Sequence, residues 1–264
     1  MSDNFFWDEA AMLASPTPNP TILAIGDSWF WYPFPGGSLI NQLGPIVKSK
    51  SHVIFAKGMN GAEAFDYVDG KYAKVVRVAL QRYGTGLEAV FLSGGGNDFA
   101  GFNDLRPLLR DNCSAQADAA GCFRPGSDGL QGFLDNMDKY YRKLIGSIYT
   151  HTSPNCLIVM HSYDYAIPDG KGVFGGKNWL RSALDDAQVA PQLQPACVKY
   201  ILDAFHDVLA TICTLDPDHL ILADSRGTLG PGEWANELHP SAAGFAKIAS
   251  KCWRPVLRDL QLAH

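Results

Sequence analysis

The chain has 264 residues, of which 47% are hydrophobic and 19% are charged, a composition typical of a globular protein with one large domain. The net charge of −5 and the pI of about 5.8 exclude the basic surface that binding to nucleic acid or to an anionic membrane requires. The apolar runs are about as long as a strand, so we expect no membrane span.

Residues 1–20 are predicted to form an extended arm, because Pro16, Pro18 and Pro20 interrupt regular structure. This segment carries acidic residues but no basic one, and it lacks the apolar stretch of a signal peptide. We therefore expect either a cytoplasmic protein or an exported one whose leader is not part of this sequence. Residues 21–264 are predicted to form a single domain.

The feature around which the chain is organised is a Gly26-Asp27-Ser28 turn, directly after the apolar run 21–25. The run has the length and the β-branched content of a buried strand, and Gly26 lets the backbone turn sharply. A serine at the end of the first strand of an α/β sheet lies where such folds place their chemistry. Asp and Ser are also favoured helix N-caps, so the turn alone is more typical of a helix start than of a functional site.

Strands and helices alternate along the rest of the chain. Apolar runs predict further strands at 53–56, 89–92, 156–160 and 220–223. Apolar residues at helical spacing predict helices at 38–50, 62–83, 131–149, 196–215 and 241–260, with a break near Gly70 and a bend at Pro255. This order predicts a three-layer α/β/α sandwich around a flavodoxin-like, five-stranded parallel sheet. Two irregular insertions are expected, at about 99–126 and 163–195.

Polar residues and one glycine with a possible backbone role follow four of the predicted strands. In chain order they are Ser28, Asn60, Gly61, Asn97 and His239. Taken singly, each is an ordinary turn or surface residue. The carboxyl ends of parallel strands meet at one edge of a sheet, so we expect these residues to converge. Together they would supply a nucleophile, backbone donors, an amide and an imidazole, which are the parts of an acyl-transfer site.

In order and spacing, these blocks resemble the SGNH hydrolases of the GDSL esterase/lipase superfamily, over roughly residues 21–260. The matching residues are Gly26-Asp27-Ser28, Gly61, Gly95-Gly96-Asn97-Asp98 and His239-Pro240. In the second block, Gly58 competes with Gly61 for the family's position. The resemblance implies the SGNH hydrolase fold and a carboxylic-ester hydrolase of the esterase or lipase type.

Carried over to this chain, the resemblance implies that Ser28 is the nucleophile and His239 the general base. The backbone N–H groups of Ser28 and Gly61 and the side-chain amide of Asn97 would form the oxyanion hole. The implied mechanism is two-step acyl transfer through an acyl-enzyme, which requires neither a metal nor an organic cofactor. The expected partner is a small-molecule or lipid-like ester rather than a nucleic acid.

The position three residues before the histidine departs from the family's pattern, because it is usually Asp and this chain has Asn236. An Asn carbonyl oxygen can accept the imidazole Nδ1–H and hold the tautomer, but it cannot stabilise the imidazolium by charge. We favour Asn236 as the orienting group. Two alternatives stay open: either Glu237 or Asp224 supplies a carboxylate, or a Ser-His dyad works with a backbone carbonyl behind the histidine.

The six residues that follow Ser28 include five aromatic rings. Of these, Trp29 and Trp31 are candidates to line an apolar acyl or aryl pocket, although core packing explains such rings equally well. The two insertions follow the third and fourth strands, so we expect them to cover the site and set substrate choice. Cys113 and Cys122 bracket a polar loop and could close it with a disulfide, although spacing alone does not establish the pairing.

Three functions are compatible with these residues. The favoured one is a serine-dependent hydrolase of acyl or aryl esters or thioesters that acts through an acyl-enzyme. A carbohydrate O-acetylesterase would use the same chemistry, and the aromatic residues do not distinguish the two because sugars also stack on rings. The third is a catalytically impaired binding protein with this fold, for which Asn236 is the argument.

Overall fold

A sheet of parallel strands forms the centre of the protein. The structure, a computed structural model, describes residues 4–32, 37–173 and 179–264. The strands are β1 (Phe5–Phe6), β2 (Ile22–Gly26), β3 (Ile54–Gly58), β4 (Ala89–Ser93), β5 (Leu157–Ser162) and β6 (Leu220–Asp224). They lie in the order β1-β3-β2-β4-β5-β6, and every pairing is parallel. The predicted α/β fold with a parallel sheet is confirmed, but within the described residues the sheet has six strands rather than five.

The sixth strand, β1, belongs to the N-terminal segment for which the sequence predicts an extended arm. Phe5 and Phe6 pair with β3 at the edge of the sheet. A short helix, α1 (Glu9–Leu13), follows, and its Met12 is completely buried. The prediction of an extended arm is therefore wrong for this part of the segment. The prolines on which it rests begin only at Pro16, after α1 has ended.

The register of the central strands brings three strand ends side by side. Gly26, at the end of β2, lies opposite Gly58 of β3 and Ser93 of β4. Both β2 and β4 are buried along their whole length, as strands covered on both faces are. The loops after these three strands therefore start from one level of the sheet, at the edge where parallel sheets bind ligands.

Helices flank the sheet. After α1 they are α2 (Leu39–Val47), α3 (Ala64–Val68), α4 (Ala73–Tyr83), α5 (Phe102–Leu105), α6 (Leu130–His151), α7 (Leu180–Asp186), α8 (Gln194–Cys213), α9 (Ala242–Ile248) and α10 (Arg254–Asp259). Contacts connect α3, α4 and α8 to α6 in one group of helices, and α9 and α10 to α2 in another. In the described part of the chain, no helix combines the length and the apolar character needed to cross a bilayer.

The last helix bends through a π-helical turn. This turn, Ala249–Trp253, separates α9 from α10 and ends two residues before Pro255. Proline has no N–H for the helical bond to the carbonyl four residues earlier, so the backbone there departs from α geometry. The turn buries Trp253, whose ring packs against Phe91 of β4 (5.1 Å between centroids). The bend thus serves to pack a large ring against the sheet.

The two insertions contain short helices and carry the cysteine pair. In the described part of the chain, α5 lies in the first insertion and α7 in the second. Cys113 and Cys122 are both buried, and Cys113 Sγ lies 3.4 Å from the Cys122 carbonyl oxygen. Both are free thiols, so the disulfide that their spacing permits is not formed in this structure.

Candidate active site

The turn after β2 is held by hydrogen bonds around Ser28. Asp27 N–H donates to the Ser93 carbonyl of β4 (2.9 Å). The Asp27 carboxylate accepts from Trp29 N–H (2.9 Å) and from the Tyr163 hydroxyl (2.6 Å). Burial of this carboxyl raises its pKa to about 6. Through these hydrogen bonds, Asp27 fixes the backbone that presents Ser28.

The loop 234–240, which carries the histidine, closes on itself. An antiparallel bridge joins its two ends, and Ala235 N–H donates to the His239 carbonyl (2.8 Å). Trp29 Nε1–H donates to the Leu238 carbonyl (3.0 Å), which connects this loop to the turn after β2. Loops from opposite ends of the chain are thus fixed to each other by a bond that does not involve the imidazole.

Ser28, His239 and Asn236 form a continuous hydrogen-bonded row. The Ser28 hydroxyl lies 2.8 Å from His239 Nε2, and His239 Nδ1 lies 3.0 Å from Asn236 Oδ1. Each of the three residues is only 5% exposed. With the proton on Nδ1, the imidazole donates to Asn236 and accepts from the Ser28 hydroxyl. A hydroxyl bonded in this way to a neutral imidazole can be activated as a nucleophile.

The Asn236 amide is oriented from both ends. Its Oδ1 accepts from the backbone N–H groups of Leu238 and His239 (both 3.0 Å) as well as from the imidazole. Its Nδ2–H donates to the Tyr32 hydroxyl (3.3 Å). Because the donors converge on one end of the amide, only one of its two orientations satisfies them. That orientation turns the oxygen toward the imidazole.

The two carboxylates that the sequence offers as alternatives have other partners. Asp224 accepts from Ser162 Oγ (2.9 Å) and from Arg226 Nε (3.0 Å). Glu237 is completely buried and accepts four backbone N–H bonds of 2.6–3.1 Å from the second insertion, at Gly170, Trp179, Leu180 and Arg181. Glu237 therefore fixes the second insertion at the start of α7. Within the described residues, neither carboxylate is hydrogen-bonded to His239.

The three candidate oxyanion donors lie on the loops after β2, β3 and β4. Gly61 has a φ of +73°, a left-handed conformation that glycine adopts without steric cost. Asn97 Nδ2–H donates to the Ala62 carbonyl (2.9 Å), which fixes the amide against the Gly61 turn. Among the residues that the structure describes, the N–H groups of Ser28 and Gly61 and the second Nδ2 hydrogen have no acceptor. They are available for a substrate oxygen.

Gly58, the alternative to Gly61 in the second block, has a packing role. A Cβ on Gly58 would lie 2.5 Å from Trp31 Cβ, so this position accommodates only hydrogen. Trp31 therefore packs over the end of β3. It is not among the described residues that line the cavity beside Ser28.

A narrow cavity of about 30 Å³, with room for about two water molecules, lies beside Ser28 and His239. Its apolar walls come from both insertions, from α8 and from the histidine loop, and they include Phe99, Ala100, Ala166, Leu202 and Leu238. Trp29 also lines this cavity, but it is only 5% exposed and packs against the rings of Tyr163 (5.1 Å between centroids) and Phe245 (5.4 Å). Trp29 therefore contributes mainly to the core.

Burial also sets the charge state of the site. It lowers the pKa of His239 to about 4, so the imidazole is neutral at neutral pH and can accept a proton. It raises the pKa of Asp98 to about 7. Asp98 Oδ2 accepts from Ala64 N–H (2.8 Å) at the start of α3, which is a structural contact. In the described ranges, no cluster of three or more His, Cys, Asp or Glu side chains could hold a metal ion.

Three residues around the site are not singled out by the sequence. The Tyr32 ring stacks on His239, with the centroids 4.0 Å apart and the planes at 19°. The Tyr163 hydroxyl accepts from Gly96 N–H (3.2 Å) while it donates to Asp27. His161 lies between Ser93 and Ser225, and burial lowers its pKa to about 3. The sequence could have indicated Tyr163 and His161 by their position at the end of β5, because the carboxyl ends of the strands form the edge of the sheet that carries the site.

Solved structures with this fold include several ester hydrolases. The chain is similar to a phospholipase A1 from Streptomyces albidoflavus (TM-score 0.52, 15% identity, 91% of this chain and 99% of that chain). It is similar to an extracellular lipase from Streptomyces rimosus (TM-score 0.51, 18% identity, 91% and 99%). A third similar structure comes from Slackia heliotrinireducens, and its description assigns it to the SGNH hydrolases (TM-score 0.50, 11% identity, 92% and 99%). The chain therefore has the fold of the SGNH hydrolases. No protein-family model and no curated protein matches it.

We expect Glu237→Gln to lower stability, because the amide nitrogen cannot accept a hydrogen bond and two of the four N–H groups lose their acceptor. The free energy of unfolding should fall by about 2 kcal/mol or more in urea titrations. Glu88→Gln is the matched control, because that carboxylate is 59% exposed and pairs only loosely with His52 (3.8 Å). Equal stability of the two variants would contradict the role assigned to Glu237.

Proposed function

We propose that this protein is a serine-dependent carboxylic-ester hydrolase that acts through an acyl-enzyme. The observation that carries the proposal is the buried row of Ser28, His239 and Asn236, with bonds of 2.8 and 3.0 Å. The donors at Gly61 and Asn97 that have no acceptor among the described residues lie on the neighbouring loops. A serine, a base and oxyanion donors at one sheet edge are the parts that acyl transfer requires.

In the proposed mechanism, His239 Nε2 takes the proton of the Ser28 hydroxyl as the oxygen attacks the ester carbonyl. The N–H groups of Ser28 and Gly61 and the Asn97 amide bind the oxyanion of the tetrahedral intermediate. His239 then protonates the leaving alcohol, and water repeats the sequence on the acyl-enzyme. Throughout the cycle, Asn236 Oδ1 holds the proton of the base on Nδ1.

The cavity supports a short acyl group as the favoured acyl part of the substrate. Its volume of about 30 Å³ leaves no room for a long acyl chain. Phe99 and Leu202 supply bulky apolar walls, and Tyr163 closes one side. Thioesters present the same carbonyl to Ser28 and belong to the proposed substrate class. The similarity to a lipase and to a phospholipase supports ester hydrolysis as the reaction.

We expect the protein to hydrolyse p-nitrophenyl acetate and butyrate faster than octanoate or palmitate, because the cavity is small. Ser28→Ala should lower kcat by about 10³-fold or more, since the hydroxyl forms the acyl-enzyme. Ser250→Ala, at an exposed serine of the C-terminal π-helical turn, is the control and should keep the full rate. Activity that survives in Ser28→Ala would contradict the proposal.

The rate should persist to acid pH. Because the pKa of His239 is lowered from 6.5 to about 4, the base stays unprotonated well below pH 6, and kcat/KM should fall only near pH 4–5. The unfolded chain takes up protons at His239 and His161 below pH 6.5, so these two shifts lower stability toward acid pH. Circular dichroism at each pH separates unfolding from titration. A midpoint at pH 6.5 or above in the folded protein would contradict this account.

A further inference from the structure

The Tyr32 side chain makes two contacts with the histidine loop. Its ring lies flat on the imidazole of His239, with 4.0 Å between centroids and 19° between planes. Its hydroxyl accepts from Asn236 Nδ2–H (3.3 Å). Tyr32 lies four residues after Ser28, so the same segment that presents the serine also places this ring. One side chain thus contacts both the base and the group that orients the base.

The base of this site lacks a charged partner among the described residues. When His239 takes the Ser28 proton it becomes an imidazolium, and Asn236 offers it a neutral oxygen. The neighbouring carboxylate, Glu237, is bonded to four N–H groups of the second insertion instead. Burial alone disfavours the charged imidazole, which is also why the pKa of His239 is low. A group that contacts the imidazole and favours the cation would therefore raise the rate.

We infer that Tyr32 is a positioning residue that takes over part of the function of an acidic third member, a role that rests on the proposed ester hydrolysis. The face of its ring stabilises the imidazolium of His239 by a cation–π contact, which operates within about 6 Å of a ring centroid. Its hydroxyl holds the Asn236 amide so that the oxygen faces Nδ1. The ring acts on the charge of His239, and the hydroxyl acts on its tautomer.

The two contacts predict different effects on rate. Loss of the ring removes stabilisation only after the proton has moved, so it should lower kcat and leave KM nearly unchanged. Loss of the hydroxyl leaves Oδ1 of Asn236 with its backbone donors at Leu238 and His239, so the amide keeps most of its orientation. The ring is therefore expected to matter more than the hydroxyl.

The test is a double-mutant cycle between Tyr32 and Asn236, measured as kcat and KM on p-nitrophenyl acetate. Tyr32→Leu should lower kcat by about 10- to 30-fold, which equals about 1.4–2 kcal/mol. Tyr32→Phe should lose less than about 5-fold, because the ring is retained. In Asn236→Asp, which supplies the missing charge, Tyr32→Leu should cost less than about 3-fold. Equal losses in the wild-type background and in the Asn236→Asp background would overturn the inference.

Two controls separate this role from general packing and from the proposed function. Tyr200→Leu removes a ring that is 40% exposed and packs on Phe123, and it should leave kcat unchanged. Tyr32→Met provides a second ring-free variant if Tyr32→Leu does not fold. If the wild type lacks ester hydrolysis that Ser28→Ala removes, the proposed function fails and this inference fails with it. If that activity is present and the cycle is additive, only the role of Tyr32 is overturned.

Discussion

The site depends on one hydrogen bond, which the Ser28 hydroxyl donates to His239 Nε2 across a sequence separation of 211 residues. Two constraints make this bond possible. The parallel register places the ends of β2, β3 and β4 at one level, and Trp29 Nε1–H ties the turn after β2 to the carbonyl of Leu238. The hydrogen bond from Trp29 to Leu238 does not involve the imidazole. It therefore keeps Ser28 and His239 at hydrogen-bonding distance independently of the proton transfer. Such preorganisation is what the proposed acyl transfer requires.

Two adjacent residues of the histidine loop, Asn236 and Glu237, have separate roles. Asn236 orients the imidazole without charge, while Glu237 accepts four bonds from backbone N–H groups of the second insertion. The residues before His239 therefore connect the base to the second insertion. In the proposed enzyme, Tyr32 supplies by ring stacking what Asn236 cannot supply by charge.

The sequence predicted the sheet and the convergence of Ser28, Gly61, Asn97 and His239 because both follow from local patterns. Buried strands give apolar runs, and parallel strands share one functional edge. It could not predict β1, since two residues are too few to show a period. It did not predict the contacts of Tyr32 and Glu237, because both are long-range and depend on how loops fold over the sheet. A ring after Ser28 is equally typical of core packing, as Trp29 demonstrates.

The most direct test of the central claim is labelling of the folded protein with a fluorophosphonate at neutral pH, followed by peptide mapping. The account predicts one covalent adduct on Ser28, formed because His239 removes the hydroxyl proton. The adduct should be absent in Ser28→Ala and His239→Ala, with the circular dichroism spectrum unchanged. A folded protein that takes no label, or that carries the label on another serine, would contradict the assignment of Ser28 as an activated nucleophile.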